Sequence, residues 1–310
     1  MNIEPLTNSL WQDKSHLNVK KASEFNKQPK SLAFSSKVGF AGPIQVISGE
    51  TEQALNLYMK KILGATIKTT DMNIKNFFTP IFQKLILKSK TENSFYEELS
   101  DAVHNFISRG DFIRSNDRKN CYAERTMAML AEQKFPQNAV YVDIGCGNGV
   151  VTKSISDSLN IEAGNVYGLE VFEPGIIDGL NVVKYNGHDI PEFVPNSDLV
   201  TLYTVLHHME NEEQASNLLK SVYDKMNDGG CLLIREHEAN SEQDKAFWKI
   251  VHDVNTKIMK RTSSDLNNGT LYKSSDYWVR ELQNLGFKFV KKWYDLSYDE
   301  QKSYFLLVQK

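Results

Sequence analysis

From about residue 118 to the end, short apolar runs alternate with segments whose apolar residues recur every three or four positions. The runs are typical of buried strands, and the spaced segments are typical of amphipathic helices. The run at 198–206 is nearly continuous, as a strand buried on both faces should be. The alternation predicts a parallel sheet with helices on both sides. The predicted strands are 139–144, 165–171, 181–185, 198–206 and 231–235, and the predicted helices are 118–134, 150–159 and 212–226, with a turn at 228–230.

The last part of the chain departs from this alternation. A helix is predicted over 275–285, and two further strands, 287–293 and 304–308, are expected to close the sheet as an antiparallel hairpin. An insertion at about 241–264 lies before that helix and carries its apolar residues on one helical face. This insertion predicts a helix that packs on the domain, or alternatively a lid over a site.

The first part of the chain differs in character. Residues 1–40 are rich in Ser, Asn, Lys and Gln, with few clustered apolar residues, which predicts a poorly ordered arm. A targeting role for this arm is the alternative. Residues 41–117 follow helical spacing and predict a helical N-terminal region. Residues 118–310 are then the main α/β domain.

Composition narrows the functional class. Hydrophobic residues make up 41% and charged residues 24% of the 310 residues, which excludes a collagen-like or wholly disordered chain. The net charge of −3 lacks the basic excess of a dedicated duplex nucleic-acid binder. The three cysteines form no CxxC pair, so we expect a reducing, cytoplasmic location. No apolar run reaches the length of about 18 residues that a membrane helix needs, so no membrane partner is expected.

A glycine cluster between the first strand and the following helix is the most informative segment. It has the pattern G-x-G-x-G at 145–149, with Asp143 two residues before the first glycine. Glycines there let the backbone turn sharply and let a ligand approach the main chain. The dinucleotide fingerprint is instead G-x-G-x-x-G, which seats an anionic pyrophosphate. An acid beside the loop opposes an anion and favours a cation such as an ammonium or a sulfonium.

On this segment the sequence resembles the class I S-adenosylmethionine-dependent methyltransferases. The resemblance extends over residues 118–310 and implies a Rossmann-like, doubly wound, seven-stranded sheet. It also implies S-adenosylmethionine as the cofactor. The positions that match its glycine motif, and so are expected to bind the cofactor, are Asp143, Gly145, Cys146, Gly147, Asn148 and Gly149.

Later positions match the same family. The resemblance implies that Glu170, which closes the second strand, accepts the ribose hydroxyls and that Asp189 receives the adenine amino group. Carboxylates only accept hydrogen bonds, and these ligand groups donate them. Val171 and Ile190 would sandwich the adenine ring.

Two further cofactor contacts follow from the resemblance. Tyr203 belongs to Leu202–His208, which matches the fourth-strand motif that lines the methyl donor. Arg125, on the helix before the first strand, is a candidate partner for the methionine carboxylate. A nicotinamide dehydrogenase is the main rival, because it would also use an acid such as Glu170. Asp143 and the glycine spacing favour the methyltransferase.

Candidate catalytic residues lie where the fourth and fifth strands are predicted to end, above the cofactor. They are His207 and His208 after the fourth strand and Glu236 and His237 after the fifth. An imidazole or a carboxylate there can act as a base on an oxygen or nitrogen acceptor. We expect no metal site, because adjacent histidines on an extended chain point in opposite directions.

The favoured function is methylation of an O or N atom of a small-molecule acceptor. An RNA or protein acceptor, recognised by residues 41–117, is the alternative. The acidic balance and the absence of an Asn/Asp-Pro-Pro-Tyr sequence after the fourth strand argue against methylation of base amino groups. A non-catalytic, cofactor-binding scaffold is a third hypothesis.

Overall fold

The computed structural model describes residues 91–108, 117–172, 179–258, 271–294 and 303–310, together with Gly49, Lys84, Leu85 and Ser89. The arm predicted for residues 1–40 lies outside the described residues, as does most of the N-terminal region at 41–117. The three-part division of the chain therefore stays a prediction.

Within the described residues, seven strands form a single sheet and six α-helices accompany it. The strands are β1 (Tyr141–Ile144), β2 (Val166–Glu170), β3 (Asn181–Lys184), β4 (Ser197–Tyr203), β5 (Met226–His237), β6 (Lys288–Tyr294) and β7 (Ser303–Gln309). The helices are α1 (Glu92–Ser108), α2 (Asp117–Leu130), α3 (Val150–Leu159), α4 (Glu212–Asp224), α5 (Glu242–Ile258) and α6 (Ser275–Asn284), with short 3-10 helices at Ala163–Asn165 and Leu206–His208.

The strand order is β3-β2-β1-β4-β5-β7-β6. Strands β1 to β5 are mutually parallel, and β7 is antiparallel to both β5 and β6. The chain order reverses between β1 and β4, and the carboxyl ends of strands at such a switch point form a crevice suited to ligands. The predicted doubly wound sheet with a closing hairpin is confirmed.

Both faces of the sheet are covered by apolar clusters. On β1, Val142 and Ile144 enter one cluster and Tyr141 enters the other. Strand alternation puts Asp143 on the same face as Tyr141. Its neighbour on β4, Thr201, also lies on this face, where its Oγ1 is 2.8 Å from the Tyr141 hydroxyl. Two polar side chains are therefore buried at the centre of the sheet, next to the switch point.

The fourth strand is shorter than the predicted 198–206. It ends at Tyr203, Thr204 takes a left-handed backbone (φ 59°), and the chain then turns into the 3-10 helix Leu206–His208. The first backbone N–H of that helix donates to Glu236 Oε1 at 2.8 Å. Because this buried carboxylate caps the turn, apolar residues that resemble a strand in the sequence form a helical turn instead.

The fifth strand is longer than the predicted 231–235. β5 includes the expected turn at 228–230, where the register against β4 shifts. Gly229 has a φ of 81°, and its N–H donates to the carbonyl of Lys310 at 3.1 Å. The glycines thus form an irregularity within the strand that pairs with the end of the chain.

The described part of the insertion after β5 is the helix α5. Ser241 Oγ accepts from the N–H of Asp244, and the Asp244 carboxylate accepts from the N–H of Ser241, which is a reciprocal cap. Helix α1 packs against α5, and Phe95 and Leu99 of α1 are fully buried. No helix in the described ranges is long and apolar enough to cross a membrane.

Candidate active site

The glycine loop joins β1 to α3 at the switch point. Gly145, Gly147 and Gly149 all have positive φ values, of 74°, 56° and 68°. A Cβ at Gly145 would lie 2.5 Å from a methyl of Val205, so the loop is pressed against the core there. At Gly147, no atom of the described residues lies within 4 Å of such a Cβ. The loop therefore offers open space above its backbone at Gly147.

Glu170, at the end of β2, holds this loop. Its Oε2 accepts from the N–H of Gly147 and its Oε1 from the N–H of Val171, both at 2.8 Å. Each carboxylate oxygen has two lone pairs, so each retains one after these bonds. The Glu170 carboxylate thus keeps the capacity to accept hydrogen bonds from two ligand hydroxyls.

Asp143 lies beneath the loop, with 4% of its surface exposed. Its two oxygens accept from Thr152 Oγ1 at 2.5 Å and Thr201 Oγ1 at 2.6 Å. Burial raises the pKa of Asp143 to about 6, with a smaller contribution from the charge of Glu170, and the two hydroxyl bonds oppose the rise. Near neutral pH, Asp143 is therefore a buried charge that joins β1 to Thr152 of α3 and to Thr201 of β4.

The raised pKa of Asp143 makes a prediction for stability. The folded protein holds this proton more tightly than the unfolded chain, so the contribution of Asp143 is greatest below pH 4. It is lost as pH rises from about 4 to 6, and the loss is about 3 kcal/mol. We expect Asp143→Asn to remove this contribution from the slope of the unfolding free energy against pH. The free energy is measured by urea unfolding at several pH values between 4 and 7. An unchanged slope in that variant would contradict the assignment, and Asp157→Asn, at an exposed position on α3, is the control.

The predicted adenine contacts divide into exposed and buried residues. Val171 is 41% exposed, whereas Ile190 is 4% exposed and belongs to the core. Asp189 is exposed, and its carboxylate accepts from the side-chain amide of Asn186 at 3.2 Å. Of the residues expected at this end, Val171 and Asp189 therefore face outward.

The remaining expected cofactor residues lie on β4, on α2 and in the glycine loop. Tyr203 has its hydroxyl 2.5 Å from Thr126 Oγ1 of α2, and its ring lies against Tyr122 of the same helix. Arg125 is partly buried on α2. Burial raises the pKa of the Cys146 thiol to about 12, so this cysteine is an unreactive part of the packing. Asn148 is exposed at the loop, where its Oδ1 accepts from the N–H of Val150.

His207 and Glu236 form a buried pair between the 3-10 helix and the end of β5. His207 Nδ1 is 2.7 Å from Glu236 Oε2, and the two residues are 5% and 2% exposed. Burial would raise the pKa of Glu236, but the charges of His207 and His208 and the His207 hydrogen bond hold it below its ordinary value. In a neutral His207, an ionised Glu236 favours the tautomer in which Nδ1 carries the proton and Nε2 is the acceptor.

Aromatic rings surround this pair. Tyr272 stacks on His207 with ring centres 5.4 Å apart and planes 10° apart. His237 stacks on Trp248 of α5 at 4.0 Å, and its Nδ1 lies 3.3 Å from Ser303 Oγ. Burial, together with the charge of His207, lowers the pKa of His237 well below its ordinary value. His237 is thus held as a neutral packing ring beside the pair.

His207 and His208 do not diverge as adjacent residues on a strand would. They lie on a 3-10 helix, and their ring centres are 4.1 Å apart. These two residues are therefore not on an extended chain, and the expectation that their rings point in opposite directions is wrong. His252 of α5 joins them, with its ring centre 5.1 Å from that of His208.

Several residues near the site were missed in the sequence. Glu238 is 4% exposed and accepts hydrogen bonds from Ser275 and from the hydroxyl of Tyr294. It anchors the start of α6 next to the histidines. Only its carboxylate within a run of polar residues could have identified Glu238 from the sequence, because its hydrogen-bond partners are distant in sequence. His252 and Tyr272 gave no signal, since each reaches the site only through tertiary packing.

Comparison with known proteins shows the family of the chain. The family model described as "Methyltransferase domain" matches residues 114–292, more than half of the chain. The chain is 25% identical over 148 residues to a 3'-hydroxy-N-methyl-(S)-coclaurine 4'-O-methyltransferase of Coptis japonica, a match that covers 47% of this chain and 40% of that one. It is 21% identical over 241 residues to an (RS)-norcoclaurine 6-O-methyltransferase of Thalictrum flavum subsp. glaucum, covering 74% and 65%.

A third relative has a different acceptor. It is the tRNA (carboxymethyluridine(34)-5-O)-methyltransferase of Saccharomyces cerevisiae, 27% identical over 99 residues, covering 32% of this chain and 36% of that one. The chain thus matches less than two thirds of the length of each of these three relatives. The family match and the sheet topology together confirm the predicted family: the chain belongs to the methyltransferase-domain family and carries a domain of the S-adenosylmethionine-dependent kind.

Proposed function

We propose that this protein is an S-adenosylmethionine-dependent methyltransferase that methylates a hydroxyl oxygen of a small molecule. The observation that carries the proposal is the buried His207–Glu236 pair at the carboxyl ends of β4 and β5. It lies at the same edge of the sheet as the glycine loop. A base that is fixed in one tautomer beside a cofactor crevice is the arrangement that an oxygen acceptor needs.

The residues at the crevice fit the cofactor. The open face of Gly147 would take the methionine part, and Glu170 would accept from the ribose hydroxyls through its remaining lone pairs. Val171 and Asp189 would contact the adenine. Asp143 would attract the positive charge from beneath the loop. When bound, S-adenosylmethionine supplies an activated methyl group on a positively charged sulfur.

The acceptor hydroxyl is expected to give its proton to Nε2 of His207. Glu236 holds the opposite ring nitrogen and stabilises the positive charge that develops on the imidazole. Glu236 is therefore a positioning residue, while His207 contacts the acceptor. We place His208 at the partly exposed side of this site, and His237 with Trp248 behind it.

Two observations favour a small acceptor with a hydroxyl group. Two of the relatives are named for O-methylation of small alkaloids. The site is also walled by aromatic rings, among them Tyr272 and Trp248, which suits a planar aromatic acceptor. The described cysteines Cys146 and Cys231 are buried free thiols, which supports the reducing cytoplasm as the compartment.

An RNA acceptor is the second candidate, favoured by the yeast tRNA enzyme among the relatives. The N-terminal region at 41–117 would then recognise the RNA. Its described helix α1 packs against α5, so that region does reach the element beside the histidines. The net charge of −3 counts against this reading, because RNA binding gains most of its affinity from basic residues.

The two candidates are separated by their products. We expect the purified chain, supplied with S-adenosylmethionine, to release S-adenosylhomocysteine with hydroxylated aromatic compounds and not with bulk tRNA. The His207→Gln variant gives the background of the assay. Methylation of tRNA but of no small hydroxyl compound would replace the proposal by the RNA alternative. Cofactor binding without turnover on either class would favour the scaffold hypothesis.

A further inference from the structure

We propose that His207, His208 and His252 form a binding site for one divalent transition-metal ion of the zinc class. One ring nitrogen from each of the three lies within 4.8 Å of the others. His207 and His208 come from the 3-10 helix after β4, and His252 comes from α5. The sequence predicted no metal here, on the assumption of an extended chain that the structure does not have.

The three rings need only a small adjustment to bind an ion. Imidazole nitrogens bind Zn²⁺ at about 2.0–2.1 Å, so two ligands of a tetrahedral site lie about 3.4 Å apart. The present separations require at most about 1.4 Å of closing. His208 and His252 are partly exposed, so side-chain rotation can supply this movement, while His207 is buried and fixed.

Glu236 prepares His207 for this role. Metal-binding histidines usually donate their second ring N–H to a carboxylate, which orients the ring and makes the binding nitrogen more basic. The 2.7 Å contact between His207 Nδ1 and Glu236 Oε2 is such an arrangement, and it leaves Nε2 for the ion. Glu236 also accepts from the backbone of the 3-10 helix, so the ligand and its support form one unit.

The third ligand is also held in place. Trp248, one turn before His252 on α5, donates its indole N–H to the carbonyl of Glu238 at 3.0 Å. The Tyr272 hydroxyl donates to the carbonyl of Trp248 at 3.3 Å. These bonds fix α5 against the end of β5 and so keep His252 facing the other two rings.

The ligand set identifies the class of ion. Three neutral imidazoles suit Zn²⁺, Co²⁺, Ni²⁺ or Cu²⁺, whereas Mg²⁺ and Ca²⁺ prefer oxygen ligands. Three protein ligands leave a fourth position for water or another small ligand. The partial exposure of His208 and His252 places that position toward the outside of the cluster.

Metal binding would have a consequence for turnover, and this part rests on the proposed function. The ion takes the same Nε2 of His207 that is expected to receive the acceptor proton. Ion binding and methyl transfer therefore exclude one another, and Zn²⁺ is a reversible inhibitor. A chelator should restore the activity.

The binding test is a calorimetric titration of the metal-free, full-length chain with Zn²⁺, repeated with Co²⁺. We expect one ion per chain. His252→Gln should weaken binding by more than the roughly 10- to 100-fold that loss of an outer hydrogen-bond partner costs. His188→Gln, the same change outside the cluster, should bind like the wild type. No binding by the wild type, or equal binding by the His252→Gln variant, would overturn the proposal.

A second measurement separates the metal site from the proposed function. In turnover assays, the rate of each variant with Zn²⁺ is compared with the rate of the same variant without Zn²⁺. The His252→Gln variant should lose inhibition by Zn²⁺, whereas His188→Gln should remain inhibited. Equal inhibition of the wild type and the His252→Gln variant would contradict the site. If the chain proves to have no turnover, the proposed function fails, and the titration still decides whether the ion binds.

Discussion

Replacing His207 by Gln is expected to lower kcat for methyl transfer by about 10²- to 10⁴-fold, the usual contribution of a general base. The amide of Gln cannot take up the acceptor proton. The cofactor residues are on other elements, so the dissociation constant of S-adenosylhomocysteine should not change. The measurement is steady-state kinetics of the wild type and the variant, with the dissociation constant determined separately by calorimetry.

Two controls make this result specific. His188→Gln should keep the wild-type kcat, because His188 lies after β3 and away from the buried pair. Glu236→Gln should lower kcat, and the double variant with His207→Gln should be hardly worse than the worse single variant, since the two residues act as one unit. A His207→Gln enzyme with normal kcat would remove His207 as the base, and additive losses would remove the positioning role of Glu236.

The second large effect concerns the glycine loop. Gly147→Ala is expected to weaken S-adenosylhomocysteine binding by about 10- to 100-fold, because the new methyl group occupies the space through which the ligand contacts the backbone. The N–H of residue 147 is kept, so the bond to Glu170 remains. Calorimetric titration of both proteins measures the difference.

Gly229 offers a matched control. It also has a positive φ, of 81°, and a Cβ there would likewise meet no atom of the described residues within 4 Å. Gly229→Ala and Gly147→Ala should therefore lower the free energy of unfolding by similar amounts, about 1–2 kcal/mol. Only Gly147→Ala should weaken the binding of S-adenosylhomocysteine. Equal ligand affinity in the two variants would show that the cofactor does not approach the loop at Gly147.

Local patterns predicted the sheet and the position of the glycine loop within it. The glycine cluster after β1 has a backbone that requires glycine at several positions. The residue types alone therefore indicated where this loop lies in the fold. Glu170 closes β2 as expected, and the order of apolar runs matched the order of the parallel strands. These features depend on neighbours in sequence, and sequence patterns record such neighbours directly.

The packing of the histidines at the ends of β4 and β5 was predicted less completely. His207 and Glu236 were identified as candidates. Their contact was not, because the two residues lie 29 positions apart in the sequence and meet only in the folded chain, through a buried hydrogen bond. The same bond network turned the expected strand end into a 3-10 helix. His252 was not identified, since its position depends on how α5 packs across the ends of β4 and β5. Tertiary contacts of this kind override local apolar patterning.

We expect the crevice at the ends of β1, β2 and β4 to bind S-adenosylmethionine rather than a nicotinamide dinucleotide. Calorimetric titration of the wild-type chain with S-adenosylhomocysteine, and in parallel with NAD, tests it most directly. We expect one S-adenosylhomocysteine to bind per chain and NAD not to bind. Binding of NAD with no binding of S-adenosylhomocysteine would contradict it.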